Sequence, residues 1–186
     1  MYSRMRSSPY TSTVLKTLAW MPVAIFFVDR GFSCATVDGR SMQPTFNPDA
    51  NTKQSDVVLL NKWAATDHVF KRGEVVTLTS PTHPDHKIIK RIIALPGDTV
   101  KPLRSGQKPV RVPKGHCWVE GDEAFHSKDS NSFGTVPIGL INAKVTRILW
   151  PPSRFGPVDK KQWPVDRVQM GFIRTGSNEE DFWKVN

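Results

Sequence analysis

Acidic residues are missing from the first 28 positions, which sets this stretch apart from the rest of the chain. Arg4, Arg6 and Lys16 stand there among serines and threonines with no acid to balance them. Cysteine is scarce. Cys34 and Cys117 lie far apart and neither belongs to a CxxC pair, which argues against a zinc site. They leave open one disulfide or two free thiols. Long apolar runs are missing too. The longest, LAWMPVAIFFV at 18–28, has eleven residues, short of the about 20 that a membrane span needs. No GxSxG elbow, internal repeat or low-complexity tract is present. Neither zinc-finger spacing nor an aromatic–basic RNA signature supports nucleic-acid binding.

What is present fits one domain plus an anchor or a tail. The chain has 186 residues, 38% of them hydrophobic, enough for a real core. Fifteen prolines and 12 glycines point to short strands and many turns. The net charge of +9 favours anionic partners, but 17 acidic residues are interleaved from Asp29 onward, as on an ordinary solvated surface.

The N-terminal segment has three readings. A helix over 13–32 reaches membrane-spanning length if Lys16 and Asp29–Arg30 sit near its ends, where long basic side chains reach the interface. A cleaved signal peptide is suggested by the short apolar region before Ser33-Cys34-Ala35, and a mitochondrial targeting segment by the Arg- and Ser-rich start. The anchor is the preferred expectation: a basic segment at 1–12, a membrane helix at 13–32, and the positive end kept on the inner side.

From residue 34 the chain reads as strands. VVLLN (57–61), GEVVTLTS (73–80), KIIKRIIAL (87–95), GHCWVEGD (115–122) and AKVTRILWPP (143–152) carry β-branched runs with turn signals between them. No long 3.6-residue period occurs between 40 and 150. The expected class is mainly β, with a catalytic domain at 33–152. Residues 153–186 read as a polar extension broken by prolines, packing partly through Trp163, Phe172 and Trp183.

Two places carry chemistry. In VDGRSMQPTF (37–46) a serine sits between the Gly39 turn and Pro44, an arrangement that can expose the Ser41 hydroxyl and free its backbone N–H. In KIIKRIIALPGD (87–98), Lys90 lies among isoleucines. On a strand it shares a face with Ile88 and Ile92, while Ile89, Arg91 and Ile93 point the other way. A lysine held among apolar groups loses ammonium hydration, its pKa falls, and the neutral amine can accept a serine proton. Taken alone, each residue has a bland reading: a serine in a turn, a solvated edge-strand lysine. His68, His83, His86, His116 and His126 offer a competing base, so a Ser–His–Asp triad stays open on paper.

The three segments SMQPT (41–45), KRIIALPGD (90–98) and GDEAFHSKDSNSFGTVP (121–137), in that order, resemble the type I signal peptidases. The resemblance covers residues 14–152. Within that family the chain is most similar to the mitochondrial inner-membrane branch, in the form of its second catalytic subunit. The resemblance implies a mainly β fold of two antiparallel sheet regions with one N-terminal transmembrane helix. It implies a serine endopeptidase without metal or cofactor, anchored in the mitochondrial inner membrane and facing the intermembrane space. There it would cut presequences and pair as a heterodimer with a sister catalytic subunit. Carried onto this sequence, Ser41 is the nucleophile, Lys90 the general base, Ser127 the hydroxyl that orients the lysine, and Asp129 a structural carboxylate. Met42 is a candidate pocket residue, with a core methionine as the alternative.

Two departures stand out. Gly39 replaces a serine of the bacterial oxyanion hole, and Asn131 replaces the arginine that pairs with the Asp129 position. Arg91 is then expected to pair with Asp129 or Asp122. Three rival readings remain: a basic membrane-surface binding module that uses the +9 charge, a non-catalytic partner subunit, and a self-cleaving repressor-type Ser–Lys protease. Residues 1–36 are too short and too apolar for the DNA-binding domain of the last.

Overall fold

A computed structural model describes residues 9–26, 30–48, 55–104, 106–161 and 166–171. In chain order the elements are helix α1 (Pro9–Phe26), β1 (Phe32–Thr36), β2 (Val57–Asn61), the short α2 (Trp63–Thr66), β3 (Val75–Thr79) and β4 (Lys87–Ala94). Next come β5 (Thr99–Val100), β6 (Val110–Arg111), β7 (His116–Glu120), the short α3 (Ser130–Phe133) and β8 (Val136–Pro137). Then follow β9 (Ile141–Trp150), β10 (Gly156–Pro157) and β11 (Val168–Gln169).

The strands form one antiparallel sheet in the order β1-β2-β9-β3-β4-β7-β8, with β10 added against β9, and a second of three strands, β11-β5-β6. The expected class, mainly β in two antiparallel regions with one N-terminal helix, is what the structure has. β2 fits its edge-proximal place by alternation: Val58 and Leu60 are buried and their neighbours half-buried. β3 and β4 lie inside the sheet and have near-continuous runs of buried residues. One apolar cluster gathers Val76, Leu78, Ile92, Leu95, Cys117 and Val119, with Ile88 against it. A second holds Val37, Met42, Phe46, Val58, Val75 and Ala143, with Ile89 against it. Ile93 joins a third with Val100, Trp118 and Val168. The period-2 reading of the isoleucine-rich strand therefore holds for Ile88 and Ile92 against Ile89.

Two boundaries differ from the sequence reading. The helix runs Pro9–Phe26 rather than 13–32, and Phe32 opens a strand whose five residues all pair with β2. Backbone pairing with VVLLN outweighs helix continuation once the chain passes Gly31, where an added Cβ would stand 3.3 Å from the Trp63 ring. Every side chain described on α1 is exposed. Among the described residues no helix is long and apolar enough to cross a membrane.

The segment after Pro152 is also more than a polar extension. Gly156 and Pro157 pair with Ile148 and Arg147, and Val168, 4% exposed, pairs with Val100 to complete the second sheet. Trp163, Phe172 and Trp183 lie outside the described residues. Cys34 is exposed and Cys117 buried, and both are free thiols. Burial pushes the Cys117 thiol up to about 12.

Candidate active site

The turn bearing Ser41 is built by short-range bonds and then pinned from several sides. The Gln43 N–H donates to the Arg40 carbonyl, and the Phe46 N–H to that of Met42. Gly39 starts the turn at φ +89°, a left-handed conformation that a side chain would strain, and an added Cβ there would meet nothing within 4 Å. Position 39 is therefore dictated by backbone conformation rather than crowding. Met42 and Phe46, 2% and 1% exposed, anchor the turn in the second cluster.

Asn47 and Asp56 exchange two 2.8 Å hydrogen bonds, and Asn47 also donates to the Val37 carbonyl. From the far end of the chain, Arg154 donates to the Thr45 carbonyl at 2.7 Å and pairs with Asp56. Arg154 carried no motif. Its position after Pro151–Pro152 gave no sign that it would reach the Ser41 turn.

β4 brings Lys90 to this turn. Its Nζ lies 2.8 Å from Ser41 Oγ in a hydrogen bond, and the residue is 3% exposed. Desolvation lowers the Lys90 pKa, and the charges of Asp129 and Asp122 oppose that shift without cancelling it. The result is a lysine whose amine is neutral at lower pH than usual, in contact with a hydroxyl. Such a pair can transfer the hydroxyl proton to the amine and release a nucleophile. Among the described residues the Ser41 N–H makes no backbone hydrogen bond, so it is free to donate to a developing oxyanion.

The third segment wraps the other side of the dyad. Gly121 passes so close that a Cβ there would stand 2.4 Å from both the Ser41 carbonyl and Ser127 Oγ, which excludes any side chain at that position. The Glu123 N–H donates to the Ser41 carbonyl at 3.1 Å. Ser127 Oγ is buried here, but among the described residues it makes no hydrogen bond, to Lys90 or to any other group. Asp129 accepts from the Gly121 N–H, caps α3 through the Asn131 N–H and accepts from Asn131 Nδ2. Asn131 thus supplies neutral hydrogen bonds where an arginine would supply charge.

Arg91 pairs with Asp122, not Asp129. Nε and Nη2 grip the two carboxylate oxygens at 2.8 and 2.7 Å, and both side chains are almost fully buried. Arg91 also donates to the carbonyls of Gly73 and Asp159 and to Thr45 Oγ1. Burial alone would raise the Asp122 carboxyl. Hydrogen bonds from Arg91 and Thr45, with the charges of Arg91 and Lys161, outweigh it and hold the pKa below the ordinary value.

A cleft of about 380 Å³ opens on one side of Ser41, lined in part by Cys34, Thr36, Met42, Thr77, Ile89 and Ala143. Met42 is packed in the second cluster and also borders the cleft, so its two alternative readings do not exclude each other. The histidines stand elsewhere. His68, His83, His86 and His126 are exposed, His116 bonds the Lys114 carbonyl, and none lines the cleft or bonds Ser41. The Ser–His–Asp alternative has no geometric support.

A serine hydroxyl bonded to a desolvated lysine, on a folded-over antiparallel sheet, defines the serine–lysine hydrolase arrangement. Comparison narrows the class. The family described as signal peptidase, peptidase S26, matches residues 10–103 and 100–150. A mitochondrial inner membrane protease subunit 2 from Mus musculus is 52% identical over 135 residues, 73% of this chain and 77% of that protein. One from Schizosaccharomyces pombe is 45% identical over 176 residues, covering 91% of this chain and 96% of that protein. A mitochondrial inner membrane protease subunit 1 from Xenopus tropicalis is 36% identical over 134 residues, covering 70% and 75%. This chain belongs to the signal peptidase family, and is a serine peptidase of that type.

Proposed function

We propose that this chain is the catalytic subunit of a membrane-bound endopeptidase of the mitochondrial inner membrane, and that it removes presequences and sorting signals from proteins delivered to the intermembrane space. The observation that carries the reading is the 2.8 Å contact between Lys90 Nζ and Ser41 Oγ inside a cleft able to hold an extended peptide. A non-catalytic partner subunit would need no such contact.

In this reading the Lys90 amine takes the Ser41 proton as Oγ attacks the scissile carbonyl. The Ser41 N–H meets the oxyanion, with no hydroxyl at position 39 to help. Lys90 then protonates the leaving amine and afterwards activates the water that releases the acyl group. Ser127 orients Lys90 when the amine moves off Ser41; its buried, unbonded Oγ is the supporting observation. Arg91, Asp122 and Asp129 hold the walls in place.

The exposed apolar side chains of α1, among them Leu15, Leu18, Trp20, Ile25 and Phe26, support a single-pass anchor built on Pro9–Phe26. The catalytic domain then starts near residue 33 and faces the intermembrane space, and the part of the chain after Pro152 completes it. The subunit names of the relatives support pairing with a sister subunit.

The test compares N-termini of membrane and intermembrane-space proteins by mass spectrometry in cells carrying the parent chain, Ser41→Ala or Lys90→Met. Both variants should reach the membrane and leave the same precursors uncut. Normal processing by Ser41→Ala would refute the proposal.

A further inference from the structure

Phe125 is the most exposed of the large apolar side chains described, at 93%. It does not stand on a remote loop. Two residues earlier, the Glu123 N–H is bonded to the carbonyl of Ser41, and the Phe125 N–H is bonded back to Glu123 Oε1. Two residues of chain reach about 7 Å, and an aromatic side chain adds roughly 5 Å. The ring can therefore lie within about 15 Å of the Ser41 carbonyl, once the 3.1 Å bond to Glu123 is included. An extended peptide advances about 3.3 Å per residue, so that reach covers about the first four residues on one side of the cleaved bond.

Which side follows from the chemistry and from the cleft. The cleft is lined from β1, β2, β3, β4, β9 and the Ser41 turn, and no residue from 121 to 128 contributes to it. Ser41 thus stands between this cleft and the 121–128 segment, whose residues 124–126 are exposed. After the first step the upstream half of the substrate is esterified to Ser41 Oγ and must stay. The downstream half, carrying the new amine, must leave before water can enter. The cleft suits the half that stays, and the exposed segment bearing Phe125 suits the half that departs.

We infer that Phe125 is a specificity-determining residue that packs against apolar side chains in the first residues after the scissile bond. It favours substrates whose mature N-terminus begins with a hydrophobic residue over those that begin with small polar ones. The neighbouring His126 is 60% exposed and Ala124 is small, so the ring is the one large apolar surface this segment offers. Covering part of such a ring on binding is worth about a five- to tenfold change in kcat/KM.

The inference rests on the reading of the chain as a processing peptidase, and its test keeps the two apart. The parent substrate is a precursor whose processing is lost with Ser41→Ala. Two versions are made, with Leu-Leu or Ser-Ser as the two residues after the cut, and both are presented to full-length enzyme in membranes. The parent enzyme should cut the leucine version about five- to tenfold faster. Phe125→Ala should bring the two rates close together, and Phe125→Leu should keep most of the preference. Because the side chain is solvent-exposed, thermal stability should be unchanged. An unaltered preference in Phe125→Ala overturns the inference. So does an equal loss on both substrates, which would mark a contact with another subunit or with lipid. Failure of the parent enzyme to cut the leucine version would also overturn the inference, whereas absence of any precursor whose processing depends on Ser41 would refute the peptidase reading.

Discussion

Replacing Arg91 by methionine should cost about 3–5 kcal/mol of folding stability, the range seen when one partner of a buried ion pair is removed. Arg91 and Asp122 are 2% and 4% exposed, so solvent cannot take over from the missing partner. The Asp122 carboxylate would lose both of its short guanidinium bonds, and the Gly73 and Asp159 carbonyls would each lose a donor. Methionine fills much of the volume and restores none of these bonds. A domain of this size has roughly 5–15 kcal/mol in total, so the variant stands near the edge of folding. At about 2–4 °C per kcal/mol its melting temperature should fall by about 6–20 °C.

Thermal unfolding of the full chain, followed by tryptophan fluorescence, measures this, and a double-mutant cycle apportions it. Adding Asp122→Leu to Arg91→Met removes the stranded charge, so the double variant should be more stable than Arg91→Met alone. Charge reversal, Arg91→Glu, should be worse still, since two carboxylates would face each other in a dry pocket. An Arg91→Met variant within about 1 kcal/mol of the parent, or an Arg91→Glu variant that folds normally, would refute this reasoning.

The pH dependence has a definite sign. Lys90 must be neutral to act as a base, and burial lowers its pKa, so kcat/KM should rise with pH along a limb below the ordinary lysine value of about 10.4. A limb at the ordinary value would count against a desolvated base. Between the lowered folded pKa and the unfolded one, the folded chain binds fewer protons than the unfolded chain, so stability should also rise with pH there; Lys90→Met should flatten that slope in pH-dependent unfolding. Arg154→Ala should lower kcat by about 10- to 100-fold with little change in KM, because the Thr45 carbonyl and Asp56 lose the group that fixes the nucleophile turn. Arg154→Lys should recover part of that loss, and an unchanged kcat in the alanine variant would show that the turn holds without it.

Strands with their own apolar pattern were legible in the sequence. VVLLN, the β3 and β4 runs, HCWVE and the long β9 stretch fall where their β-branched residues and flanking turns put them. β1 was not legible. FSCAT has small and polar residues with no clear alternation, and it becomes a strand by pairing along its whole length with β2. The contributions of residues 154–171 were hidden for a related reason. Arg154, Gly156 and Val168 act singly, through one ion pair, one edge pairing and one buried side chain, and single contacts leave no period.

At the site, the nearness of Ser41 and Lys90 was foreseen from the ordered motifs, not from either residue alone. The partner of Arg91 was narrowed to two carboxylates, and the structure selects Asp122. The bond from Ser127 to Lys90 is not present, since Lys90 is engaged with Ser41 instead.

The bonds from Arg154 to the Ser41 turn and from Arg91 to the Asp159 carbonyl have a consequence in time. A ribosome releases residue 41 long before residue 154. Until the later residues arrive, Thr45 and Asp56 lack their guanidinium and Arg91 lacks one of its carbonyls, so the turn is held only by its own short-range bonds and its buried Met42 and Phe46. Ser41 and Lys90 are both made early, yet the contacts that brace their surroundings from residues 154 and 159 can form only later. The order of synthesis therefore places the bracing of this turn after the turn itself.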